Sequence, residues 1–325
     1  ELAATAKNMV SYAIVLLDLV KASERVPHHV LEREARRLGY PLWLLRLSLA
    51  AYRLPRVLRI GQVYSYVLAA CRGLTAGSGF ATSEMKLIMI HIVDAAMLVA
   101  PRVQPTLFVD DLSAEMTGSA KHVAKDVASF VRHVVDSVAR TNMELSTSKC
   151  VCSASNDALG KQIQRDLRPL VVEYNRRVKS SGAGLAGGRR RNIKVLRERL
   201  KKFKGRIRRY RKLRRNGVDT ARLFRTGGKA AMTYGESIMG VSNSMLRDQR
   251  RTAAAVTCPA SGSGGQNLDA ALLIADGGPR GRADPAFDAH DMPIGQWSMA
   301  VREKWLPIQS LLTLAASAKL KLASA

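Results

Sequence analysis

Acidic residues are scarce: 26 Asp and Glu stand against 52 Lys and Arg in 325 residues, a formal charge of +26. Solubility does not require such an excess, so a polyanion is the expected partner, nucleic acid first and an anionic membrane surface second. Cysteine is scarce as well. Cys71, Cys150, Cys152 and Cys258 contain no Cys-x-x-Cys pair, and no His stands at zinc-finger spacing from them. Neither a disulfide framework nor a metal knuckle is indicated, and reduced, intracellular thiols are the simplest reading. Long apolar runs are missing too. The most apolar window, residues 87–100, is broken by His91 and Asp94. It is too short and too polar to span ~30 Å of hydrocarbon and reads as a buried helix, so no membrane partner is expected.

Hydrophobic residues at 47% and charged residues at 24% are the proportions of a folded chain. The chain opens at Glu1, within a few residues of helix and strand pattern, and is expected to be a fragment or a processed piece. Its positive charge is concentrated. Residues 161–215 hold 22 of the basic residues against Asp166, Glu173 and Glu198. Inside that block a Gly-rich joint, residues 180–188, precedes Arg189 to Arg215, where Ile193, Leu196, Leu200, Phe203, Ile207, Tyr210 and Leu213 recur at three- and four-residue steps. That spacing predicts one basic helix with a single apolar stripe. Arg189, Arg190, Arg191, Lys201, Lys202, Lys204, Arg206, Arg208, Arg209 and Arg211 are its candidate phosphate contacts; a localisation signal and a passive charged surface are the other readings. Residues 261–265 and 276–291 read as linker or loop, and helical periodicity returns over residues 297–322.

The first 155 residues alternate short apolar runs with helical patterns. Strands are expected over residues 12–18, 56–60, 63–69, 106–109, 112–116 and 144–153. Helices are expected over 27–38, 41–52, 79–100 and 121–141. The order predicts an α+β fold, an antiparallel sheet packed on helices. Asp18 ends an apolar strand, and Asp110 and Asp111 sit between two apolar runs as a tight hairpin. Adjacent acids in such a place are costly unless a cation neutralises them, and a strand-end Asp facing a hairpin Asp forms the oxygen-rich set that Mg²⁺ takes. A plain Asp-favouring turn is the alternative. His28 and His29 lack a third ligand and read as helix-start packing or surface, and Cys150 and Cys152 read as two small core residues.

Four segments carry a resemblance. Leu16-Leu17-Asp18-Leu19-Val20-Lys21-Ala22-Ser23-Glu24-Arg25-Val26-Pro27-His28 resembles the first palm motif of reverse transcriptases of the non-LTR (LINE-like) retrotransposon kind. Arg72 to Phe80, Gly-centred and opening a helix, is similar to their second motif. Phe108-Val109-Asp110-Asp111 matches the aromatic-x-Asp-Asp third motif, and Asn142 to Ser148 followed by Lys149 is similar to the fourth. The resemblance covers roughly residues 10–155, with the basic block as a thumb-like region.

It implies an RNA-directed DNA polymerase that joins dNTPs to a DNA primer, or target-DNA end, on an RNA template, acting in the nucleus. Asp18, Asp110 and Asp111 would be catalytic and would ligate two Mg²⁺ ions, or Mn²⁺ in their place. Their carboxylates are therefore expected to converge on one spot. Leu19, Val20, Lys21, Ala22 and Ser23 would face the incoming triphosphate, Gly77 and Ser78 would lie against the nascent pair, and Lys149 would neutralise phosphate charge.

Several positions depart from the family pattern. Ser23 stands where an aromatic wall against the sugar 2′-hydroxyl is usual, Ala76 where Gln is expected, Gly79 where Pro is expected, and Glu24 replaces a nearby acid. Fingers strands ahead of the first motif have no room in 17 residues, and no endonuclease is seen. The expected division is a palm over 1–155, a basic helical thumb-like region over 156–255, and a linker with a C-terminal helical segment over 256–325. The rival readings are a catalytically inactive nucleic-acid-binding remnant of such an element and an intron-encoded splicing cofactor.

Overall fold

A computed structural model describes residues 10–75, 77–187, 192–258, 267–276 and 283–303. Ala76, Arg189, Arg190, Arg191, the Gly-rich residues 261–265 and most of the expected last helix lie outside the described residues. The fold is mixed α+β, with a mainly antiparallel sheet packed on helices, and the chain divides into two compact units, Glu1–Arg176 and Arg177–Ala325.

In the first unit β1 (Ser11–Leu17) is central. It is followed by α1 (Ala22–Arg25), α2 (His28–Arg37), α3 (Leu42–Tyr52), the hairpin β2 (Arg59–Ile60) and β3 (Val63–Tyr64), and α4 (Ala81–Val99). Then come β4 (Gln104–Phe108), β5 (Asp111–Gly118), α5 (Ala120–Arg140), β6 (Val151–Ala154), α6 (Asp157–Asp166) and β7 (Glu173–Tyr174). The five-stranded order is β4-β5-β1-β6-β7. Alternation decides which face is buried. Ala13, Val15 and Leu17 pair with Met116, Ala114 and Leu112, and all six are buried. Directly opposed residues share a face, so these six form one apolar surface. α5 covers it with Val123, Val127, Val131, Val134 and Val138 at helical spacing, and Ser119 caps its start by accepting a hydrogen bond from the His122 amide. Each fully buried side chain of this kind contributes about 2 kcal/mol.

Two expectations in this unit are corrected. The hairpin expected over 56–69 is short, with two paired residues per strand around Gly61 and Gln62 and an isolated bridge from Arg56 to Leu68. The strand expected over 144–153 forms only at Val151–Ala154. Residues 144–146 pair instead with the residues that follow β1, in an isolated antiparallel bridge of Leu19 with Leu145 in which Val20 N donates to Glu144 O at 2.8 Å and Ser146 N to Asp18 O at 2.7 Å.

The second unit opens on β8 (Arg177–Ser180) and β9 (Ala183–Ala186), a hairpin where a Gly-rich joint was expected. Ser181 and Gly182 both have positive φ, at 43° and 84°, the geometry that matches a two-residue turn to strand twist. The expected basic helix is broken in two, α7 (Lys194–Lys204) and α8 (Ile207–Arg215), at Gly205 and Arg206. Short helices α9 (Thr220–Leu223), α10 (Lys229–Thr233) and α11 (Glu236–Met239) follow, with a π-turn at Phe224–Gly228. They lead to α12 (Asn243–Thr257), α13 (Leu268–Asp276) and α14 (Pro285–Arg302). α14 corrects the loop expected over 276–291: Asp284 accepts from the Ala286 amide as N-cap and Pro285 follows at the first turn, where a missing N–H costs nothing. Leu196, Leu200, Phe203, Phe224 and Met232 form the core of this unit, with Phe203 5.7 Å from Phe224 between ring centroids. Among the described residues no helix is long and apolar enough to cross a membrane.

Candidate active site

Asp18 follows the last residue of β1, and its main-chain carbonyl accepts from the Ser146 amide at 2.7 Å and the Cys150 thiol at 3.8 Å. The β1–β5 ladder ends at Leu17 opposite Leu112. One step further sets Asp18 opposite Asp111, both on the face away from the buried row. Asp111 also closes the β4–β5 hairpin by pairing with Phe108, which leaves Val109 and Asp110 as a two-residue turn. Val109 has φ 61°. A β-branched residue in the left-handed region is strained by about 1–2 kcal/mol, and such strain persists where surrounding structure dictates it, often at functional sites.

Lys149 completes the cluster. Its Nζ is 2.9 Å from Asp18 Oδ2. That oxygen is closed off from water and has no well-aligned hydrogen-bond donor, so the ion pair is its main compensation. The close contact with and charge of Asp18 hold the Lys149 ammonium above its ordinary range, and Asp111 and Asp110 add to the effect. Asp111 is pushed up, first by partial desolvation although its surface as a whole is exposed, then by the charges of Asp110 and Asp18, with Lys149 opposing. The three carboxylates and the ammonium thus form one electrostatic group at the end of β1 and β5.

The expected convergence of Asp18, Asp110 and Asp111 on one point is not seen. Among the described residues no three His, Cys, Asp or Glu side chains come together as a ready metal site. The positive charge beside Asp18 is the Lys149 ammonium. The donor types, hard carboxylate oxygens that include the water-excluded Oδ2 of Asp18, are those that Mg²⁺ takes.

Of the segment expected to face a triphosphate, Leu19 and Ala22 have buried side chains, and the Val20 amide is engaged by Glu144 O. Lys21, in a left-handed conformation with φ 48°, and Ser23 are exposed. Gly77, with φ 87°, lies open, and a Cβ there would meet nothing within 4 Å. Ser78 is half-buried. Its loop is laced to the first motif, with Gly73 N donating to Val26 O at 2.8 Å and Leu74 N to Ser23 O at 2.7 Å.

His28 is buried, and its Nε2 lies 2.9 Å from Gly73 O; His29 is exposed. Cys150 and Cys152 are buried as expected. Sequence reasoning missed Tyr52, Glu84 and Arg25. The signal for Glu84 was an acid on the same helical face as Ile88 and Ile92; Arg25, ion-paired with Glu144 at 2.5 Å, had none.

In the second unit Lys201, Lys202, Lys204, Arg206, Arg208, Arg209 and Arg211 are all exposed. Among the described residues only Lys204 of these has a carboxylate partner, Asp248 at 2.7 Å. α8 buries no residue at all, so its cations remain available to an external anion. No protein-family model matches the chain, and no curated protein matches it.

Proposed function

We propose that this chain is the palm and thumb-like region of an RNA-directed DNA polymerase of the non-LTR retrotransposon kind, working in the nucleus on an RNA template, a DNA primer and dNTPs. The observation that carries the reading is the meeting of Asp18, the strained Val109–Asp110 turn, Asp111 and Lys149 at one sheet end, in a chain that also carries a strongly basic block over residues 161–215. In such a reaction the primer 3′-hydroxyl is the nucleophile, so the protein contributes alignment and charge. Asp18, with Asp110 and Asp111, would hold Mg²⁺, which supplies neutralisation of phosphate charge and a more acidic 3′-hydroxyl. Lys149, kept protonated by its carboxylate neighbours, offers a positive charge to the phosphates. The Gly73–Ser78 loop, tied to residues 23–28, presents an open backbone at Gly77 that a base pair can approach closely. The basic faces of α7 and α8 bind the phosphate backbone without regard to sequence.

Primer extension tests the proposal. Asp110→Asn should abolish extension in Mg²⁺ while primer–template binding stays within about twofold. Loss of binding and extension together would point away from a catalytic role. A second reading, an inactive nucleic-acid-binding remnant, is favoured by one observation: Lys149 already neutralises Asp18, and among the described residues no three carboxylates converge to hold a cation there. Wild-type chain that binds primer–template yet never extends it supports that reading.

A further inference from the structure

The last turn of α3 reaches three points on and around the Gly-rich loop. The Tyr52 hydroxyl is 3.0 Å from Ser78 Oγ. Arg53 Nε donates to His28 Nδ1 at 3.2 Å, which leaves the opposite ring nitrogen, Nε2, to donate to Gly73 O at 2.9 Å. Arg56 donates to Thr75 Oγ1 at 3.2 Å. Of these, the Tyr52 contact is the most deeply set. Tyr52 is 2% exposed, and its hydroxyl also lies 2.6 Å from Glu84 Oε2 in the first turn of α4. A phenol has one proton to give. The shorter contact takes it, so the phenol oxygen accepts the Ser78 hydroxyl proton in return.

Glu84 is fully buried. Its other oxygen, Oε1, has no hydrogen-bond partner, and no cation forms an ion pair with it among the described residues. A carboxyl group in that setting is expensive, and an apolar residue would serve packing on this face of α4 better. Its one direct hydrogen bond holds a tyrosine that in turn holds the loop.

We propose that Tyr52 and Glu84 are positioning residues that fix Ser78, and with it the Gly77–Ser78 backbone, in the form that reads the nascent base pair. The assignment of the nascent pair rests on the polymerase reading above; the clamp itself does not. Burial, then the hydrogen bond to Glu84, pushes the Tyr52 hydroxyl up to about 12, so it stays protonated over the working range. Gly77 needs such a clamp more than most residues, because a left-handed glycine with nothing near it has no packing of its own to restrain it.

Two measurements on the full chain test the clamp. In hydrogen exchange followed by mass spectrometry, Tyr52→Phe and Ser78→Ala should each speed exchange of the segment 72–80 roughly tenfold, and the double variant no further than Ser78→Ala, which removes the shared link and also the acceptor of the Phe80 amide. Glu84→Gln keeps an acceptor and should retain protection, whereas Glu84→Leu should lose it. Unchanged exchange in Tyr52→Phe overturns the clamp, and so does an effect spread evenly over the whole first unit. In primer extension, Tyr52→Phe should raise the KM for dNTP and the misinsertion frequency several-fold at nearly constant kcat. An active Tyr52→Phe variant with unaltered KM and fidelity overturns the positioning role even if exchange changes. Wild-type chain without extension counts against the polymerase reading and not against the clamp, which the exchange data then decide.

Discussion

Glu236 shows how much a single side chain can govern. It is 1% exposed, its Oε1 accepts from Gln249 Nε2, and both its Oε2 and Gln249 Oε1 are buried without partners. Burial, helped by the charge of Asp288, pushes its carboxyl up to about 7, while the Gln249 hydrogen bond and Lys229 pull the other way. The folded state therefore holds a proton that the unfolded chain releases near 4.5. The associated stability is fully present below that value and is lost as pH rises through about 7, a change on the order of 3 kcal/mol. Urea unfolding of the second unit at pH 5 and pH 8 should reveal the decline, and Glu236→Gln should flatten it; an equal slope in that variant would remove Glu236 as the cause. Residue identity made Asp18, Asp110 and Asp111 conspicuous in advance as acids at strand ends, whereas Lys149 was singled out only by the resemblance. The positive φ of Val109 was not readable, since valine disfavours that conformation and only the β4–β5 closure imposes it.

At the scale of elements, α8 is the most informative. Its exposed Arg208, Arg209 and Arg211, with Arg206 just ahead, make no ion pairs among the described residues. Each phosphate contact contributes about 0.9 to the slope of log affinity against log salt. Changing all four to Gln should lower that slope by as much as about 3.6, measured by anisotropy of a labelled duplex from low to moderate salt, and should leave the melting temperature within about 2 °C because no buried side chain is touched. An unchanged slope would assign α8 to a localisation signal or a passive surface. The apolar stripe from Ile193 to Leu213 identified the inward face correctly as far as Phe203, yet it could not reveal the break at Gly205 and Arg206. Three- and four-residue spacing reports which residues face a core, not whether the helix axis runs straight through. For the same reason the pattern over 144–153 read as one strand, although most of it makes its backbone hydrogen bonds around Asp18 and Val20.

On the scale of the whole molecule, charge and apolar surface oppose each other. The hairpin around β2 and β3 leaves Leu58, Ile60, Val63 and Tyr66 exposed, Ile60 and Tyr66 by more than four-fifths. A two-stranded hairpin uncovered on both faces is only marginally stable and is prone to association. The formal charge of +26 keeps copies apart at low ionic strength. Screening over a Debye length of about 8 Å at physiological salt should release that restraint, so light scattering is expected to rise with added NaCl. Ile60→Lys with Val63→Lys should suppress the rise without lowering the melting temperature; scattering unaffected by these changes would locate the sticky surface elsewhere.

Composition and pattern alone determined that the chain folds as α+β, that its positive charge is concentrated in one block, and that Asp18 follows an apolar strand and Asp110 and Asp111 lie at a hairpin turn. Those properties depend on alternation, period and local turn preference, which are written in consecutive residues. Tertiary structure decided the rest. The register of β1 against β5 brings Asp18 level with Asp111, and the bridge of Leu19 with Leu145 leaves Lys149, a few residues on, beside Asp18. Likewise, packing α3 against the loop before α4 joins Tyr52, Ser78 and Glu84 across more than thirty residues of sequence. Such contacts follow from the closing of long loops around a common core, and no local periodicity encodes which distant partner a side chain will meet.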